Sequence, residues 1–213
     1  RSGTSWSQQA YIKASNTDAG DHFGLIVSLS TDGNTLAVSA QSEASNASGI
    51  NGDQTDNSVA DSGAAYVFVR SGVNWSQQAY IKASNAEANE YFSYSMNLSA
   101  DGNTLAVGTP YEDSNAVGIN GDQTNNSAVT AGAAYVFSRT GTSWSQQAYI
   151  KASNAEANDW FGVMLSLSAN GNTLAVGGSN DDSNATGING DQANNTVTGS
   201  GAVYVFERSG TSW

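Results

Sequence analysis

The side chains able to do chemistry in this sequence are few, and most of them offer oxygen. Asn46, Asn51, Asp53 and Asn57 recur as Asn115, Asn120, Asp122 and Asn126, and again as Asn184, Asn189, Asp191 and Asn195. Carboxylate and amide oxygens grouped in this way suit a hard cation such as Ca2+, which takes about six to eight oxygen ligands. The candidate metal residues are therefore Asn51, Asp53, Asn120, Asp122, Asn189 and Asp191, with one carboxylate per set. The same residue types also order a long loop by bonding their own backbone, a role that needs no ion. A second register holds His22, Tyr91 and Trp160, rings that could stack on a sugar or on a partner's side chains. His22 is the only histidine and gives way to Tyr91 and Trp160 in the equivalent positions, so no hydrolase triad is in prospect. The absence of cysteine removes disulfides, thiolate metal sites and a cysteine nucleophile. Gly49-Ile50-Asn51-Gly52 lacks the lysine and the following helix of a phosphate loop. Carboxylates are abundant, but none lies in an apolar stretch of sequence that would raise its pKa. The chain is expected not to be an enzyme.

Charge narrows the partners. Seven Lys and Arg stand against 19 Asp and Glu, a formal net charge of −12 over 213 residues. That balance gives no footprint for nucleic acid or for an anionic membrane surface. No apolar run approaches the ~18 residues of a spanning helix, so membrane insertion is not expected.

The elements that must position these residues follow from a repeat. WSQQAYIKASN begins at Trp6, Trp75 and Trp144, a spacing of 69 residues. GNTLAV, GINGDQ and YVF keep the same period, giving units 1–69, 70–138 and 139–207 and the start of a fourth over 208–213. A repeat of this length marks a unit that cannot bury its apolar surface alone. The ending in mid-unit leads us to expect that the segment belongs to a longer array. Each unit reads as four strands, in the first unit Ser5–Ala14, Phe23–Ser30, Thr35–Ala40 and Ala64–Arg70, from period-two alternation without any 3.6 periodicity. Asp32-Gly33 and Asn170-Gly171 predict tight hairpins between the second and third strands. The second and fourth strands are apolar or small on both faces, so each sheet should lie between neighbours. In such a meander, 16 of the 19 acids fall at the long-loop end and only Asp32, Asp101 and Glu207 at the other. Trp6, Trp75, Trp144 and Trp213 should pack between sheets.

Four-stranded antiparallel units of this length point to an all-β fold of β-propeller type, three blades of 69 residues forming an incomplete ring. Phe23-Gly24 and Phe161-Gly162 before a strand, GNTLAV in the next and GAAYVF or GAVYVF after a loop resemble FG-GAP repeats. These are the repeats of the integrin α-subunit propeller and of many bacterial secreted proteins. Unit two departs with Phe92-Ser93, and the Gly-Ala-Pro of the family becomes Ser39-Ala40-Gln41, Gly108-Thr109-Pro110 and Gly177-Gly178-Ser179. The calcium loop of integrin-type blades would fall at Ser30–Thr35, where only one aspartate remains. The resemblance implies a non-enzymatic, extracellular or cell-surface segment of a structural or adhesion protein. The alternative it implies is a propeller that recognises a glycan or a protein through the acidic long-loop face.

Three blades leave two flat faces without a neighbour. Further units of a longer protein could cover them, two copies could close a six-bladed ring, or the blades could stack as an open solenoid. The chain's own partner is thus expected to be itself, as adjacent repeats or other copies. The phase of the units suits closure by strand exchange, the first strand completing the blade made by the last three.

Overall fold

The computed structural model describes residues 3–213, and these form eleven strands and no helix. The first sheet has β1 (Val27–Leu29), β2 (Thr35–Ala40), β3 (Ala64–Ser71) and β4 (Asn74–Ile81) in sequential antiparallel order. The second repeats it with β5 (Ser95–Leu98), β6 (Thr104–Thr109), β7 (Ala133–Thr140) and β8 (Ser143–Ile150). The third contains β9 (Phe161–Leu167), β10 (Thr173–Gly178) and β11 (Ala202–Glu207). All pairings within the sheets are antiparallel, as a propeller blade requires, and the three blades do not close into a ring.

The hairpin between the first two strands of each blade is fixed by its own side chains. Asp32 Oδ1 accepts from Ser30 Oγ at 2.6 Å and from Asn34 N at 2.9 Å, while Gly33 takes φ +68°. Asp101 and Asn170 make the same contacts, so a carboxylate and an amide serve equally there. These oxygens are occupied by a turn.

Sequence unit and blade are out of phase by one strand. The segment that opens each unit pairs with the last strand of the preceding unit: Tyr66 lies opposite Tyr80, and Tyr135 opposite Tyr149. This corrects the expectation of a strand at Ser5–Ala14, where no strand forms. Residues 7–13 repeat the sequence found in β4 and β8, but among the described residues no strand pairs with them to complete their hydrogen bonds. The innermost strand is also shorter than Phe23–Ser30 in the first blade. Positive φ at Gly24 (94°) and Ser93 (72°) interrupts the ladder, whereas in the third blade a bulge between Gly177 and Gly178 absorbs the same feature at Gly162.

The core lies between blades. Ala37, Val67 and Ile81 of the first blade pack with Met96, Leu98 and Leu105 of the second. A second cluster joins Val136 and Ile150 to Phe161, Leu167 and Val176. Backbone bonds tie the hairpins across this seam, Thr31 N to Ala100 O and Ala100 N to Ala169 O. Gly132 shows how close the blades come: a Cβ there would lie 2.1 Å from Phe161 O. The outer faces remain bare, with Leu25, Val27 and Leu29 exposed on the first blade and Met164, Val203 and Val205 on the third.

Candidate functional site

Three features of the long loop converge on the strand that closes each blade. The GINGDQ segment runs beside it and forms an extra bridge, Ile50 opposite Ile81 and Ile119 opposite Ile150. Asn51 donates its N–H to Tyr80 O at 2.7 Å and accepts Tyr80 N at its Oδ1 at 2.9 Å; Asn120 does the same with Tyr149, at 2.7 and 3.0 Å. Both asparagines sit at φ 56°, a left-handed conformation that asparagine tolerates better than most residues. Asn189 has φ 56° as well, but no closing strand lies beside it.

Beneath this clasp lies a buried ion pair. Lys82 Nζ lies 2.8 Å from Glu43 Oε2, and Lys151 Nζ 2.7 Å from Glu112 Oε2, with all four side chains essentially without solvent access. Lys151 also donates to Ser114 O at 2.7 Å, and Lys82 to Ser45 O at 3.0 Å and Ser62 Oγ at 2.5 Å. Glu112 accepts further bonds from Asn85 Nδ2 at 3.0 Å and Tyr149 OH at 2.8 Å. Burial pulls both lysines below the ordinary lysine range, and the paired glutamates oppose that shift. Lys13 is exposed, and Asp181, buried in the equivalent acid position of the third blade, has no lysine beside it among the described residues.

A second acid stands near each of these. Asp21, Glu90 and Asp159 occupy one register and are all buried. Each accepts a backbone N–H three residues earlier, from Asp18, Glu87 and Glu156. Burial above all, helped by neighbouring acids, pushes Glu90 up to about 8 and Asp159 up to about 6, and raises Asp21. Glu90 Oε1 is buried without a hydrogen-bond partner. This overturns the expectation that no carboxylate has a raised pKa. Glu90 is desolvated by burial in the fold and lies near Glu112 and Asp113, neither of which adjoins it in the chain.

The candidate metal residues are thus given other partners. Asn51 and Asn120 face the closing strand, whereas Asp53 Oδ1 accepts Thr55 N and Oγ1 at 2.9 and 2.7 Å. Asp122 does the same with Thr124, and Asp191 accepts Ala193 N at 2.9 Å. Hydrogen bonds from Thr55 and Thr124 hold Asp53 and Asp122 below the usual carboxylate range. Among the described residues, no three His, Cys, Asp or Glu side chains gather as a set able to hold one ion. The donors of these loops fit turn-capping and strand-clasping better than a calcium shell.

The aromatic register divides. His22 is exposed, its Nδ1 3.4 Å from Ser42 Oγ. Tyr91 and Trp160 are brought together through Tyr111, a residue the sequence reading did not single out. Ring centroids lie 5.4 Å apart for Tyr91–Tyr111, 5.9 Å for Tyr111–Trp160 and 5.8 Å for Tyr94–Tyr111, all edge-to-face. The four half-buried rings form a row across the seam between the second and third blades. Tyr91 and Trp160 hold φ of 53° and 55°, uncommon for bulky residues, each fixed by a backbone bond to the preceding blade at Asp61 O and Thr130 O. The signal for Tyr111 was present: Ser42 and Asn180 occupy its place in the other units.

Of the repeated tryptophans, Trp75, Trp144 and Trp213 are spent on seams, whereas Trp6, expected to pack likewise, is 81% exposed. Arg70, Arg139 and Arg208 lie over Trp75, Trp144 and Trp213 at 5.6, 5.5 and 5.6 Å. The indole N–H groups of Trp75, Trp144 and Trp213 donate to Gln9, Gln78 and Gln147.

A family model of the FG-GAP repeat matches three times in tandem, over residues 6–68, 75–137 and 144–206. Comparison with curated proteins finds no match. The matched spans begin at the tryptophan and end within the YVF strand, so the second and third each join a closing strand to the three strands of the following blade.

Proposed function

Because the chain belongs to the FG-GAP repeat family, we propose that it is a non-enzymatic structural segment of an extracellular or cell-surface protein, whose principal partner is its own kind of blade. One observation carries this reading. The groups that would interest a ligand or a substrate are committed to building the next blade. The buried lysine, the loop asparagine, the indole N–H and the arginine of one register all reach across a strand or blade boundary. The carboxyls with raised pKa, Glu90 and Asp159, are themselves buried. An array of this kind gains stability by nearest-neighbour contact, so a series with two, three and four units should melt progressively higher. Equal melting temperatures across that series would contradict the scaffold. Surface labelling of intact cells that carry the parent protein tests the location.

A second reading rests on the row Tyr91, Tyr94, Tyr111 and Trp160. Partly exposed rings at loop ends suit the apolar face of a sugar ring or a partner's side chain. In this reading the long-loop face recognises a glycan or a protein on another cell. A glycan array run with wild type and with Tyr111→Ala tests it. Binding to one sugar class, lost in the variant, supports it, and an array without signal removes it.

A further inference from the structure

Tyr111 sets one seam apart from the other. Ser42 takes its place in the first unit and Asn180 in the third, so the row Tyr91, Tyr94, Tyr111 and Trp160 forms once, between the second and third blades. Both blades of that seam are in place, and the four rings are still half-buried rather than covered. The backbone is bent to hold two of them. Tyr91 and Trp160 stand at φ 53° and 55°, where glycine or asparagine would cost less. Bonds across the seams, Tyr91 N to Asp61 O and Trp160 N to Thr130 O, fix them there. Strain kept at bulky surface rings is the kind of outlier that accompanies a ligand clamp.

The shape of the row selects what it can hold. Tyr91, Tyr94 and Trp160 stand at 65°, 83° and 64° to the plane of Tyr111. Rings so inclined make a corner and not a platform, so a flat sugar ring could lie face-on to only one of them. A compact, rounded group can touch several. With centroids 5.4, 5.8 and 5.9 Å from that of Tyr111, such a group comes within about 6 Å of more than one ring, the range in which a cation is drawn to an aromatic face.

Charge points the same way. Asp61 lies against the Tyr91 hydroxyl and, after burial, is the neighbour that raises its pKa. Asp113 Oδ1 accepts Thr130 N at 2.7 Å, and Thr130 O in turn holds Trp160 N. Each end of the row therefore has a half-buried carboxylate at its anchor. The described bases are engaged elsewhere. Arg70, Arg139 and Arg208 bond Asn34, Asn103 and Asn172 at the hairpin end of the strands, whereas Tyr111 lies just beyond the other end of β6. Lys82 and Lys151 are buried against Glu43 and Glu112, and Lys13 belongs to the first blade. A ligand carrying its own phosphate or carboxylate would be repelled here.

We propose that the corner of Tyr91, Tyr94, Tyr111 and Trp160 binds a quaternary ammonium group, the trimethylammonium of a small choline-type molecule without an anionic partner group. The methyl groups fill the corner, the ring faces attract the charge, and Asp61 and Asp113 add a field of the right sign. This rests on the second reading, that these rings recognise a ligand, and narrows the ligand to a cation.

The probe is choline chloride, titrated into the 213-residue chain and followed by NMR of the tyrosine and tryptophan ring protons. The shifts should saturate at one site per chain. The neutral isostere 3,3-dimethylbutanol, of the same shape without the charge, should bind about fivefold more weakly. Tyr111→Ser should weaken choline by about tenfold while leaving the melting temperature near that of wild type, since Ser42 already stands in that place in the first unit. Tyr111→Phe, which keeps the ring, should bind as wild type does. Asp61→Asn suits the left-handed backbone there (φ 54°) and should weaken choline severalfold. Absence of a saturable shift overturns the site, even if a glycan array shows a signal that depends on Tyr111. An isostere that binds as well as choline overturns the assignment to a cation. A peptide bearing trimethyllysine that binds far more tightly than choline overturns the assignment to a small molecule.

Discussion

Lys151 Nζ lies 2.7 Å from Glu112 Oε2, with neither side chain reaching solvent, and the two residues belong to different sequence units. The pair joins the closing strand to the long loop of the blade it completes. Removing the cation alone leaves a buried carboxylate, so Lys151→Met should destabilise the chain by about 3–5 kcal/mol in urea unfolding. Adding Glu112→Gln should recover much of that loss. A Lys151→Met chain as stable as wild type would mean that the lysine is solvated.

Glu90 gives the fold a pH dependence. Its folded pKa of about 8 lies above the ordinary 4.5, so its stabilising contribution is complete below about pH 4.5 and is lost as pH rises towards 8. Unfolding at a series of pH values should show stability falling by on the order of a few kcal/mol across that window. Glu90→Gln should flatten the slope. A slope unchanged by that substitution would place the titration elsewhere.

Gly108 and Gly177 occupy one register with different surroundings. A Cβ at Gly108 would come within 2.1 Å of Gly162 O, whereas at Gly177 its nearest neighbour is Met164 O at 3.7 Å. Neither glycine needs a positive φ, so the comparison is steric. Gly108→Ala should lower the melting temperature by several degrees, roughly 1–3 kcal/mol of overpacking, and Gly177→Ala should have little effect. Equal effects would contradict the close approach of the second and third blades.

Asn120 and Asn189 separate clasp from calcium. Replacement by Gly keeps the left-handed backbone accessible and deletes only the side chain. Asn120→Gly should cost about 1 kcal/mol through the lost bond from Tyr149 N, and Asn189→Gly almost nothing in the isolated chain. Calorimetry with added calcium should be flat, and chelator should leave the melting temperature unchanged. Saturation at three ions per chain would restore the metal reading of Asn51/Asp53 and their equivalents.

Local chemistry and period made much of this molecule legible. Asp32-Gly33 announced its hairpin, and Thr35–Ala40 forms the strand that its alternation predicted. The 69-residue period gave the blades, and the apolar faces of β3 and β7 gave their sandwiching. What stayed hidden depended on partners distant in sequence. Ser5–Ala14 reads as a strand by every local rule, yet a strand needs a neighbour, and among the described residues 7–13 pair with none, whereas their copies in β4 and β8 do. The loop asparagines look the same whether they bind an ion or a backbone N–H, and Tyr80 N decides between those. Glu90 stands in no apolar run of sequence, yet the fold buries it. A lysine repeated at the end of an apolar strand, in a chain with only seven basic residues, was the overlooked sign of a buried pair.

The claim on which the account turns is that each unit supplies the closing strand of the blade before it, locked by its lysine. Amine labelling under native conditions tests this most directly, because Lys13, Lys82 and Lys151 end the same octapeptide yet sit in peptides of different mass. In the dilute chain, Lys13 should react at the rate of a free lysine, and Lys82 and Lys151 should stay unmodified until the fold opens. Equal labelling of all three would contradict the account, since no buried Lys82–Glu43 or Lys151–Glu112 pair could then exist.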